Sequence, residues 1–339
     1  MTRKIIFAGF ILFALALCTQ AQNKSGLHIL KKIPVAGNGF WDYVTVDASS
    51  KRVYVAHGTQ VNILSTSGDS IGVIPNTNGV HGVAIATPFG KGYTSNGRDN
   101  NCTAFDLKTN KAITTIAAGT NPDAIFFDEF SKKVYAFNGR SKDATVIDPL
   151  TDKVVATIAL DTKPETGVSD GKGHIFVNGE TTNEVIVINA NTYKVEHRYK
   201  LEGGEEPSGL AIDQKTSRLF VGCGGSKTMI VMDATNGKHL AKFPIGDCDG
   251  VAFDPQLKLA YSSNGDGNVS VVKEVSANKF EFVENVPTEK SARTIGIDVT
   301  THRLYLPAAS MEPTAPTADN AHPRPHMVPG SFHLIVLGS

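Results

Sequence analysis

Residues 44–58 read VTVDASSKRVYVAHG, and this stretch decides the fold. An alternating apolar run ends in Asp47, a polar turn follows, and an aromatic-centred apolar run closes on Gly58. The pattern returns as FFDEFSKKVYAFNG at 126–139, AIDQKTSRLFVGCG at 211–224, AFDPQLKLAYSSNG at 252–265 and GIDVTTHRLYLPAA at 296–309. Looser copies are VAIATPFGKGYTSNG at 83–97 and GVSDGKGHIFVNG at 167–179. The aromatic anchors Tyr54, Tyr93, Tyr135, Phe176, Phe220, Tyr261 and Tyr305 are spaced by 39, 42, 41, 44, 41 and 44 residues. A repeat at that period is one supersecondary unit stacked on its neighbours.

Each unit reads as four strands. Alternation running into Asp and polar residues is a half-buried strand entering a turn, and the aromatic run is a second strand turned back by Asn-Gly or a glycine cluster. Thr145–Asp148 and Val185–Ile188 fit third strands, and Ala112–Ile116 a fourth. Four strands per unit, repeated, predict an all-β, seven-bladed β-propeller with four-stranded antiparallel blades. The last unit supplies a third strand at Phe332–Leu337 and no fourth, while Ile29–Gly37 resembles the fourth strands ending near Gly119 and Gly246. An N-terminal strand is therefore expected to complete the last blade and hide two sheet edges.

Composition agrees with a globular domain. The chain has 339 residues, 41% hydrophobic, with 33 Lys+Arg against 33 Asp+Glu. That content excludes a disordered chain, and the neutral balance argues against a nucleic-acid binder. Arg3 and Lys4 precede the apolar run Ile5–Leu17, and Ala21 offers a small cleavage position, which are the parts of a secretory signal peptide. The run is too short for a comfortable membrane span. Cys18 raises lipid anchoring, but bulky Leu17 before it argues for simple cleavage after Ala21. Residues 1–21 are read as a signal peptide and 22–339 as one propeller domain, a soluble monomer exported to the periplasm or outside the cell. Three cysteines follow residue 21, and Cys223 with Cys248 is the only pair considered for a disulfide against three small buried thiols.

The repeats resemble those of the YVTN-type β-propeller family, the YncE-like exported bacterial proteins. Arg52-Val53-Tyr54-Val55, Arg218-Leu219-Phe220-Val221, the Asn-Gly turns at 96, 138, 178 and 264, and the third-strand endings Val146-Ile147-Asp148 and Val231-Met232-Asp233 carry the likeness. It spans residues 27–339 and implies the fold. It implies little about activity, since one fold hosts many functions.

The repeat register also locates a candidate site. Twelve residues before each anchor, or eleven in the fourth copy, stand Asp42, His81, Asp123, Glu165, Ser208, Asp249 and Arg293. In a propeller this column faces the axis at the channel mouth. Arg293 between Asp249 and Asp42 reads as a salt-bridge cluster joining the last blade to the first. His81, Asp123 and Glu165 are then uncompensated: two carboxylates about 10 Å apart repel by roughly 1.7 kcal/mol at an effective dielectric near 20. A hydrated funnel tolerates that repulsion, and a divalent cation on Asp123 and Glu165 would relieve it. A second column, at the ends of second strands, includes Asn96 and Asn138, with Arg98 and Arg140 beyond; it is read mainly as turn chemistry, with these four residues as further ligand candidates. Trp41, the only Trp, either stacks on a ligand or plugs a gap between blades.

Residues 307–331 hold six of the 16 prolines with Met311, His322, His326 and Met327. They are read as an extended flap over the mouth or a docking arm, too stretched for shared metal chelation. There is no Cys-x-x-Cys-His, His-Glu-x-x-His, Gly-x-Ser-x-Gly or phosphate-cradling glycine loop. The leading expectation is a binding protein for a small molecule or exported protein. The alternative is a metal-assisted hydrolase or lyase, lactonase-like, with His81 as acid/base. A redox adaptor is a weaker third.

Overall fold

A computed structural model describes residues 25–37, 39–315, 323 and 325–339. The expected signal segment 1–21 and His322 lie outside the described residues. Seven four-stranded antiparallel sheets form the ring of a β-propeller. The innermost strands are Trp41–Asp47, Val80–Ala86, Pro122–Asp128, Pro164–Ser169, Pro207–Asp213, Cys248–Asp254 and Gly296–Asp298.

The Asp that closes most innermost strands has a local job. Asp47 accepts from the backbone N–H groups of Ser49 and Ser50, Asp254 from Gln256 and Leu257, and Asp298 from Thr300 and Thr301. These are Asx turns, which satisfy orphan donors where the chain reverses. The same turns end on a left-handed residue: Lys51, Lys132, Ser217, Lys258 and His302 have φ of 56°, 56°, 57°, 56° and 58°. The two looser copies place Gly90 and Gly173 there.

The core lies in the seams between blades. All seven aromatic anchors are at most 2% exposed. Tyr54, Ile63 and Ile74 of the first blade pack with Val83 and Phe105 of the second, and Phe220 stacks on Phe253 of the next blade at 5.0 Å. Truncating one such ring would cost about 3–5 kcal/mol.

Closure follows the expectation. Strand His28–Pro34 pairs antiparallel with His333–Gly338, in the order 28–34, 333–338, 303–308, 296–298 across the last sheet. The insertion is not stretched out where it is described: Met311–Glu312 and His326–Met327 pair as a two-residue antiparallel ladder. Both methionines pack against the seam that holds Trp41 and Phe332. Cross-strand pairing thus places Met311 directly opposite Met327, which an extended segment would not. Among the described residues no disulfide forms: Cys102, Cys223 and Cys248 are free and buried, and burial pushes each thiol up to about 12.

Candidate binding site at the channel mouth

The first strand of each of the first six blades breaks its ladder at one place. Partners shift between Trp41 and Val44, Val80 and Gly82, Pro122 and Ile125, Pro164 and Gly167, Pro207 and Gly209, and Cys248 and Gly250. Asp42, His81, Asp123, Glu165, Ser208 and Asp249 occupy those bulges. A bulge turns a side chain out of the pleat and re-aims it. With Arg293 of the seventh blade, all seven line one cavity of about 420 Å³. Its walls also carry Tyr43, Lys163, Glu180, Glu206 and Asp247.

Charge pairing differs from the sequence expectation. Arg293 Nη1 does meet Asp249 Oδ2 at 2.7 Å, but its Nη2 donates to the Trp41 carbonyl at 3.2 Å, and Asp42 turns to His81 instead. His81 Nδ1 lies 2.6 Å from Asp42 Oδ2 and 3.5 Å from Asp123 Oδ1. Burial works against the imidazolium, yet the Asp42 hydrogen bond and the charges of Asp123, Asp42 and Glu165 outweigh it and lift His81 to about 9. The near-neutral histidine expected from sequence is therefore protonated at pH 7 and cannot accept a proton there.

Glu165 is not uncompensated either. Lys163 Nζ lies 2.7 Å from Glu165 Oε1 and 2.5 Å from Glu180 Oε2, and Tyr43 Oη donates to Glu165 Oε2 at 3.3 Å. Burial still pushes the Glu165 carboxyl up to about 8, with Asp123 adding to it and Lys163 opposing. Burial likewise raises Asp123 to about 6, with His81 opposing and Asp42 adding. Asp249 moves up for the same first reason, against Arg293. Lys163 is raised because Glu165 and Glu180 outweigh its burial. The two partners agree once ordered by pH: Glu165 is ionised long before Lys163 could lose its proton.

Other candidates fall outside the cavity. The Trp41 ring is 4% exposed, 5.3 Å from Phe332, and fills the seam between first and last blades. Asn96 and Asn138 are buried and donate within their own blades, to Asn101 and Thr103 and to Asp143 and Thr145. Arg98 and Arg140 are exposed and do not line the cavity. Lys163 and Tyr43 escaped the register because each stands one or two places off the column.

No protein-family model matches the sequence, and no characterised protein sequence matches it. Solved structures do share its fold. The WD40 repeats of RRP9 superpose with a TM-score of 0.75 at 11% identity, over 93% of this chain and 98% of that one. A chain of the mitotic checkpoint complex gives 0.72 at 13% identity, over 96% and 99%. Hydrazine synthase of Kuenenia stuttgartiensis gives 0.69 at 13% identity, over 80% of this chain and 94% of that one. At such identities the likeness establishes the seven-bladed propeller and nothing finer.

Proposed function

We propose that this chain is an exported binding protein of the YVTN-type, YncE-like kind, whose channel mouth takes a small positively charged ligand. The observation that carries it is the convergence of one bulge position from six blades, with Arg293, on a single cavity. Seven carboxyl side chains line that cavity, Asp42, Asp123, Glu165, Glu180, Glu206, Asp247 and Asp249, against His81, Lys163 and Arg293, and with Glu165 protonated the acids still outnumber the bases. Low-dielectric walls of one predominant sign focus potential and concentrate counter-charged ligands. Propellers serve widely as binding scaffolds, and one structural neighbour sits in a multiprotein complex. Export rests on the Arg3–Ala21 segment, and no helix among the described residues is long and apolar enough to cross a membrane.

Melting curves in chelator with arginine, agmatine, choline and spermidine test the reading. A ligand at about 100 times its Kd adds about 2.7 kcal/mol. A shift of several degrees that disappears in Asp249→Asn supports the site; no shift with any organic cation rejects it.

A second reading is the divalent-metal-assisted hydrolase or lyase, lactonase-like. The meeting of His81 with two carboxylates favours it over a plain funnel. The ligands differ from the pair first considered, because Glu165 is held by Lys163 while Asp42 joins Asp123. Lactone turnover unchanged in Asp123→Asn would reject this second reading.

A further inference from the structure

We infer that Asp42, His81 and Asp123 form a site for one divalent transition-metal cation at the wall of the channel mouth. The inference deepens the reading of the mouth as a cation site and rests on it.

One donor atom from each of the three residues lies within 4.8 Å of the other two. Metal–ligand bonds of about 2.0–2.2 Å put neighbouring donors about 3–3.5 Å apart and opposite donors about 4 Å apart. The 3.5 Å contact of His81 with Asp123 already fits, and the 2.6 Å contact with Asp42 has to open by less than the width of an atom. The three residues come from equivalent bulges on consecutive blades, so they are carried by packed sheet and not by mobile loops. His81 also has room behind it. A Cβ on Gly97 would lie 2.6 Å from Nε2, so the missing side chain makes room for that edge of the ring, while Nδ1 faces the carboxylates.

Charge selects the same spot. Lys163 is engaged by Glu165 and Glu180, and Arg293 by Asp249. Asp42 and Asp123 are left to share His81 alone among the basic groups of the wall. One imidazole nitrogen with two carboxylate oxygens suits Mn²⁺, Fe²⁺, Co²⁺ or Zn²⁺, and the ion takes the place of the Nδ1 proton, which is released to solvent on binding. Ca²⁺, which takes six to eight oxygens, is a poor match. Three protein ligands facing a cavity of about 420 Å³ leave coordination positions open to water or a small ligand.

The test is calorimetric titration of the chelator-stripped protein with Mn²⁺, Co²⁺ and Zn²⁺ alone, beside Mg²⁺ and Ca²⁺. One transition-metal ion per chain is expected, with affinity lowered at least about 100-fold in Asp123→Asn and His81→Gln. Glu205→Gln, an exposed acid beside the wall residue Glu206 and itself outside the wall, should bind like the parent. Pulsed electron paramagnetic resonance of Mn²⁺ in the unmutated protein should show a single imidazole nitrogen, which decides the matter even if a variant fails to fold. No uptake, uptake indifferent to both substitutions, or no nitrogen coupling would overturn the inference. Organic cations that still shift the melt in chelator would then leave the mouth standing as a ligand site; if they too are silent, both readings fall.

Discussion

At the scale of single residues, the mouth is a set of carboxyl groups held where they repel one another. Glu165 shows the consequence most clearly. It is 7% exposed, with Lys163, Glu180, Tyr43 and Asp123 around it, and burial raises its carboxyl from 4.5 to about 8. The folded chain therefore keeps a proton that the unfolded chain releases above about pH 4.5. Its contribution to stability is complete below that value and is lost as pH rises through about 8. In chelator, the melting temperature should fall between pH 5 and 8, and Glu165→Gln, which cannot ionise, should remove on the order of 1–3 kcal/mol of that fall. A variant whose pH profile runs parallel to the parent's would contradict the assignment. The column containing Glu165 was legible in sequence because repeats share a register. Counting back twelve residues from an aromatic anchor, or eleven in Glu165's own blade, finds the bulge in the first six blades and Arg293 just ahead of the seventh's first strand. The pairings were not legible. Whether Asp42 turns to Arg293 or to His81 depends on how each bulge directs its side chain, and Lys163 reaches Glu165 from two residues away on the same segment.

At the scale of the element, the turn between first and second strands carries the fold's punctuation. Five blades place a non-glycine residue in the left-handed region there, and two place Gly90 and Gly173. An L-residue pays about 1–2 kcal/mol for that conformation, and a β-branched one is worse. Gly90 gives a clean measurement, since a Cβ there would meet nothing within 4 Å. Gly90→Val should lower the denaturation free energy by about 1–2 kcal/mol through backbone strain alone. Lys132→Gly, at the equivalent place with φ of 56°, should change it by less than about 1 kcal/mol in either direction, because relief of strain offsets a more flexible unfolded chain. Equal and negligible effects in urea unfolding would show that the conformation at this turn is not what constrains it. Strands, turns and blade count could all be read from the alternation and the Asp-to-Gly frame. The pairing of 311–312 with 326–327 could not, because the proline-rich composition signals an extended segment while Met311 and Met327 pack together against the Trp41 seam. The same packing explains Trp41: a lone Trp beside an acidic column reads equally as ligand platform or plug, and only Phe332, from the far end of the chain, decides for the plug.

At the scale of the whole molecule, six blades are built from consecutive strands and one is not. The ring depends on a single long-range pairing, His28–Pro34 against His333–Gly338, where two otherwise open edges are joined. That strand also serves both seams it touches. Leu27 packs with the cluster holding Leu306 and Ile335, and Ile33 and Val35 pack with the one holding Trp41 and Tyr305. Deleting Leu27–Val35 removes those side chains and exposes the hydrogen-bonding edge of the 333–338 strand, so the cooperative melt should be abolished. The register supplies a stricter form of the test. His28 faces Gly338 and Pro34 faces His333, so the strand begins where the chain ends. Moving residues 25–36 to follow Ser339 through a tight two- to five-residue turn would make the pair an ordinary hairpin of the kind the other blades already use. The transplanted chain should regain a single transition within a few degrees of the parent, read by circular dichroism on heating, whereas the deletion should not. A deletion that melts like the parent would show that closure is not what holds the ring. A transplant that stays unfolded would show that the strand has to be made first.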